Sequence, residues 1–144
     1  MAQHHGLATR LLDWTHNPLV ALFFAVQKNN KNESAVYALK AGEVMDIMDM
    51  NEASMHPLDL STIRQLSPPH SARRVSAQSS IFTVHNEPTK AWEPREIKKL
   101  IIPSDFRIQF RTILYKYGIT SKSLFPGLDG LCKTIKYLKF GGDA

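Results

Sequence analysis

The side chains most suited to chemistry crowd into fifteen residues, Gln3-His4-His5-Gly6-Leu7-Ala8-Thr9-Arg10-Leu11-Leu12-Asp13-Trp14-Thr15-His16-Asn17. Neighbouring imidazoles, a guanidinium, a carboxylate, an indole and two threonines lead straight into an apolar run, and polar groups entering a core must be paired or used. If Thr9 to Thr15 is extended, Thr9, Leu11, Asp13 and Thr15 face one way while Arg10, Leu12 and Trp14 face the other. Asp13 and Thr15 then emerge together before a helix N-terminus, where free N–H groups attract an anion or a phosphate. Each residue also has a structural reading. Arg10 and Asp13 suit an ion pair or loop tie, Asp13 or Thr15 suits a cap, and Trp14 suits the core. His4, His5, His16 and Asp13 are metal-ligand types, but adjacent histidines on an extended chain point apart and no cysteine lies nearby, so no metal site is assigned.

The elements that must position this stretch follow from local pattern. Asn17 is a helix cap, Pro18 fits the first helical position, and the nine apolar residues from Pro18 to Val26 predict a buried helix ending near Gln27. Ala35–Leu39, Ser80–His85 and Ile97–Ile102 have strand length and composition. Residues 41–70 read as irregular with one short helix near Leu58 to Leu66, and Asn86 to Arg95 as a loop. Ser104 is placed as the cap of a helix with Phe106, Phe110, Ile113, Leu114 and Tyr117 on one face and Gly118 at its end. Leu128, Leu131, Cys132, Ile135 and Leu138 share the face of a last helix, with Cys132 as a packed thiol. The sum is a single α+β (mixed α/β) domain. No regular βαβ repeat, Walker loop, Gly-x-Gly-x-x-Gly turn, Gly-x-Ser-x-Gly elbow or His-Glu-x-x-His helix is present.

The chain has 144 residues, 43% of them apolar, with one cysteine and no apolar run of the roughly 20 residues needed to cross a bilayer. With no secretory leader pattern either, these features point to a cytoplasmic domain without membrane association. Its net charge of +5 is uneven: residues 1–89 carry seven Lys/Arg against eight Asp/Glu, and residues 90–144 carry eleven against five. Such a surface suits a polyanion, but Lys98, Lys99, Lys116, Lys133, Lys136 and Lys139 are better read as solvated faces of a strand and two helices.

Ala2 to Ala25 closely resembles the signature of the FRG domain, a bacterial and phage family whose stretch reads A-Q-H-x-G-x-P-T-R-L-L-D-W-T-x-N-P-L-x-A-L-x-F-A. Arg74-Val-Ser-Ala-Gln78 with Ile81-Phe82 is similar to the family's R-x-x-x-Q-x-G-x-F element, and Gly118 to Leu131 to its G-I-x-x-x-x-L-F-P-x-L-D-G-L ending. Ala8 stands where the family has proline and Ser80 where it has glycine. The Phe-Arg-Gly tripeptide that names the family lies upstream of A-Q-H, and this sequence begins at Met1, so the resemblance implies a truncated first strand or one supplied by a partner segment.

The resemblance implies an ADP-ribosyltransferase-like fold, a split and mostly antiparallel sheet with flanking helices, and NAD as substrate. It implies a toxin or antiphage effector role and a protein or nucleic-acid acceptor. On this pattern Gln78, His4 and Arg10 are catalytic candidates, although an amide such as Gln78 is no general base. Gln3, His4, Gly6, Thr9, Arg10, Asp13, Thr15, Asn17 and Arg74 are the cofactor-binding candidates. The alternative is a non-catalytic protein- or nucleic-acid-binding module in which Arg10, Asp13 and Trp14 form a structural element. A metal-dependent nuclease ranks last, because the ligand spacing is poor.

Overall fold

The computed structural model describes residues 8–28, 31–40, 60–68 and 73–141, with backbone alone at 47–48. Its strands are β1 (Leu11–Thr15), β2 (Ser34–Leu39), β3 (Ile47–Met48), β4 (Arg64–Leu66), β5 (Ser80–Val84) and β6 (Ile97–Ile102). Its helices are α1 (Pro18–Val26), α2 (Arg73–Ala77), α3 (Arg107–Lys116), α4 (Ser121–Leu124) and α5 (Leu128–Phe140). The α1 boundary follows from its cap: Asn17 Oδ1 accepts the Leu19 N–H at 2.9 Å, and Pro18 has no N–H to satisfy.

The strands form two sheets, a four-stranded β1-β5-β4-β3 and a two-stranded β2-β6. All pairs are antiparallel except β3 with β4. This is a mixed α/β fold with antiparallel sheets and flanking helices. Strand β5 lies between β1 and β4, and its residues Ile81 to Val84 are buried, as its β-branched and aromatic composition leads one to expect. The central core joins Val20, Phe23 and Val26 of α1 to Ile102 of β6, Leu114 of α3 and Leu124 of α4. Helix α1 packs against β1, β2 and α3 through Val20, Phe23 and Val26, while Leu19 and Phe24 remain exposed, so the expectation of a helix buried on every side holds for one face only.

Several sequence expectations change. Within the proposed Leu58–Leu66 helix, the described part contains strand β4, which completes the hydrogen bonding of β5's second edge. Ser104 does not cap α3: its hydroxyl donates to Asp105 Oδ1, and Ser104–Phe106 forms a single 3₁₀ turn before the helix. The buried stripe of α3 is Arg107, Arg111 and Leu114, spaced by four and three residues, while Phe106, Ile113 and Tyr117 are exposed. Gly118, at φ 76°, does end the helix.

Helix α5 also turns a different face inward. Gly130 is buried, Thr134 and Tyr137 are half-buried, and Leu128, Ile135 and Leu138 are exposed. Polar contacts and close backbone approach set this orientation: Thr134 Oγ1 accepts the Lys122 N–H at 2.8 Å, and the Arg111 guanidinium lies 5.7 Å from the Tyr137 ring centre. Cys132 is consequently exposed rather than packed. The six lysines read as solvated are all exposed.

Candidate functional site

Two clefts, each of about 430 Å³, lie on either side of Trp14 and share Trp14 and Tyr37 as walls. The first is bounded by β1, α1, β2 and the α2–β5 turn. It gathers Asp13, Thr15, Arg74 and Gln78 against Phe24 and Tyr37. The second collects Thr9, Arg10, Tyr37, His85, Lys90 and Trp92. The face expected to run from Thr9 to Thr15 is thus divided, with Thr9 and Leu11 at one cleft and Asp13 and Thr15 at the other.

Most polar atoms of the first cleft also hold the fold. Thr15 Oγ1 donates to the Gln78 carbonyl at 2.7 Å and accepts the Asn17 N–H at 3.0 Å. Gln78 is 7% exposed, and its Nε2 donates to the Leu124 carbonyl at 3.0 Å. It occupies the turn between α2 and β5 rather than a strand, because Ser79 at φ 48° reverses the chain there. These ties join β1, the α2–β5 turn and α4.

Arg74 differs from its neighbours. Its guanidinium stands 4.7 Å from the Phe125 ring centre, and its buried Nε has no hydrogen-bond acceptor among the described residues. A cation–π contact leaves in-plane N–H donors for an anion. An anion at the N-terminus of α1 is excluded, since Leu19 N–H goes to Asn17 Oδ1 and the Val20 and Ala21 N–H groups go to the Asn17 carbonyl. Asn17 thus serves as the cap of α1, its side-chain oxygen engaged by the Leu19 N–H.

In the second cleft, Trp14 Nε1 donates to Thr83 Oγ1 at 3.1 Å, and Thr83 Oγ1 lies 2.9 Å from His85 Nε2. With the indole as donor, the Thr83 hydroxyl proton is left to satisfy a neutral His85 Nε2. Arg10 Nη1 points to the His85 carbonyl at 3.4 Å, and the Arg10 carbonyl accepts the His85 N–H at 2.9 Å. Arg10 thus lines the second cleft beside His85. Trp92 meets Trp14 and His85 edge-on, with ring centres 6.0 Å and 5.3 Å apart.

Burial lowers the pKa of His85 below its ordinary value of 6.5. A folded-state pKa depressed in this way means that the unfolded chain binds more protons as pH falls. The stabilisation is present above pH 6.5 and is lost as pH falls through the unfolded and then the folded pKa. Thermal midpoints recorded from pH 7.5 down to pH 5 are expected to fall, and His85→Gln, neutral throughout, to flatten that slope.

Residues 1–34 match the family model of the FRG domain. The matched segment includes β1, α1 and the start of β2, and hence one wall of each cleft. No curated protein and no solved structure matches the chain. Among the described residues no cluster of three or more His, Cys, Asp or Glu stands together as metal ligands, and no helix is long and apolar enough to cross a membrane. Gln3, His4 and Gly6 lie outside the described residues. Tyr37, His85 and Trp92 were not among the residues expected from sequence. They arrive from β2, the end of β5 and the following loop, with no local motif to flag them.

Proposed function

We propose that this chain is an ADP-ribosyltransferase-like domain that takes NAD as substrate in the cleft containing Asp13, Thr15, Arg74 and Gln78. The observation that carries the reading is Arg74, a guanidinium held against the Phe125 ring among the residues that line that cleft beside Asp13 and Thr15. The match of residues 1–34 to the FRG family supports it. Arg74 would bind the pyrophosphate, and Trp14, Phe24 or Tyr37 would offer a surface for the nicotinamide ring. In the reaction the N-glycosidic bond breaks, nicotinamide departs with the bonding electrons, and an acceptor nucleophile or water attacks the ribosyl carbon. The Asp13 carboxylate would stabilise the positive charge that develops on the ribose. Gln78 holds the cleft wall through Leu124 and is a positioning residue. On the resemblance, a segment bearing Phe-Arg-Gly, from the same protein or a partner, adds a further arginine, and the activity serves a toxin or antiphage effector in the cytoplasm.

The test is incubation with NAD labelled in its nicotinamide, with binding and nicotinamide release both measured. Arg74→Ala is expected to lower both at least about ten-fold, the usual scale of a lost charge-assisted contact. It should keep its far-UV spectrum and thermal midpoint, because the contact with Phe125 contributes only about 0.5–1 kcal/mol. Absence of binding and of release in the parent chain would sink the enzymatic reading. The ties of Trp14, Thr15 and Gln78 to Thr83 and to backbone carbonyls favour a second reading, a non-catalytic module whose Arg10/Asp13/Trp14 region is structural.

A further inference from the structure

Helix α5 presents two parallel rows of side chains away from its packed face of Gly130, Thr134 and Tyr137. Leu128, Leu131, Ile135 and Leu138, spaced by three, four and three residues, repeat like the a and d positions of a heptad. Leu128 is 78% exposed, Leu138 55% and Ile135 44%, and Leu131 is half-buried. Asp129, Cys132, Lys136 and Lys139 form the row beside them with the same spacing, and all four are exposed. Among the described residues Asp129, Lys136 and Lys139 take part in no ion pair. A continuous apolar row on a helix surface, bordered by charge, has the form of a helix-pairing seam.

We infer that this row is the contact of a symmetric dimer, in which α5 lies antiparallel to α5 of a second copy. Antiparallel pairing sets Leu128 against Leu138 of the partner subunit and Leu131 against Ile135 of the partner subunit, so every apolar side chain of the row meets another. In this register Asp129 falls beside Lys136 of the partner subunit and Lys139 of the partner subunit, and the opposed helix dipoles attract. A parallel pair would bring Asp129 level with Asp129 and the lysines level with the lysines, which removes that complementarity. A helix of 13 residues, about 20 Å long, makes a contact at the small end of the specific range, so association is micromolar. Because α5 lines neither of the two large clefts, the dimer stands independently of the NAD reading.

Sedimentation equilibrium of the full chain from about 5 to 500 µM, a range that brackets such a constant, tests this. The mass should rise from monomer to dimer. Leu138→Glu and Ile135→Glu, both at exposed positions, should keep the far-UV spectrum and weaken dimerisation at least about ten-fold, the scale of one lost interface anchor. Lys136→Glu with Lys139→Glu should weaken it as well, and adding Asp129→Lys should recover most of that loss. Cys132 is the one cysteine of the chain, so a short bismaleimide forms a covalent dimer only by joining Cys132 of both copies. That product is expected from the parent and should diminish in Leu138→Glu. A monomer throughout the range overturns the proposal, as does a dimer that Leu138→Glu and Ile135→Glu leave intact or that gives no cross-link. Failure of Asp129→Lys to recover the loss overturns the antiparallel arrangement. With phosphatidylcholine vesicles containing phosphatidylserine the parent should stay in the supernatant. A monomer that sediments with them would assign the row to a lipid surface instead.

Discussion

Arg107→Ala is expected to destabilise the fold by about 3 kcal/mol or more, because a buried carbonyl left without its donor costs roughly 1–3 kcal/mol and lost packing adds to that. Arg107 is 2% exposed, and its donors hold the end of α1. Nη1 donates to the carbonyls of Ala25 at 2.9 Å and Lys28 at 3.3 Å, and Nη2 donates to the Asn32 carbonyl at 2.6 Å. A cation at this position also meets the negative end of the helix dipole. Truncation leaves three carbonyls without this donor and a cavity against the core. The loss also extends beyond α1, because Asn32 leads into β2 and β2 carries Tyr37 to both clefts. Arg107→Lys keeps the charge but cannot span carbonyls from three residues, so it should recover only part of the loss. Urea unfolding of both variants gives the measurement: Ala below Lys below parent is expected, and an unchanged midpoint for Ala would contradict the clamp.

Gly130→Ala is the second large effect, and two principles oppose each other there. Alanine in a helix interior is favoured over glycine by about 1 kcal/mol. A Cβ at Gly130, however, would lie 2.1 Å from the Phe125 carbonyl oxygen and 2.5 Å from that of Ser121. Both are backbone atoms, so no side-chain rotation relieves the clash, and α4 and α5 must separate. Overpacking commonly costs about 1–3 kcal/mol, and this contact belongs at or above the upper end. A net destabilisation of about 2 kcal/mol or more is therefore expected by urea unfolding. Separation should also weaken the Thr134–Lys122 bond and the Gln78–Leu124 tie, loosening the wall of the Arg74 cleft from the far side. A stabilised variant would show that propensity prevails and that the close approach is not maintained.

What the sequence revealed was local. Asn17-Pro18 carries its own capping chemistry, and the apolar composition of β2, β5 and β6 leaves little alternative to strand. The two arginines of α3 were illegible because hydrophobic periodicity treats a guanidinium as surface, whereas here carbonyls from α1 and the ring of Tyr137 make burial favourable. Helix α5 misled for the opposite reason. Leucines at helical spacing suggested the inner face, but Gly130 permits a closer approach than any leucine does, and the apolar face remains outside. Asp13, Thr15, Arg74 and Gln78 were legible as motif residues and do meet in one cleft. Arg10 and Thr9 belong to the other, a division created by Trp14 that alternation along one strand cannot reveal.

The pairing of the strands has a consequence for how the molecule forms. Thr15 lies opposite Ser80 in β5, and Leu39 lies opposite Ile97 in β6, so each of these pairings closes a loop of about sixty residues. Ordering such loops precedes any gain from pairing, which slows folding and prolongs exposure of apolar strands. The segment that carries the family match holds β1, α1 and the first residue of β2, but none of the strands they pair with. During synthesis α1 therefore waits, apolar on every side, until α3 and α4 have been made, and that interval is when the chain is most exposed to aggregation.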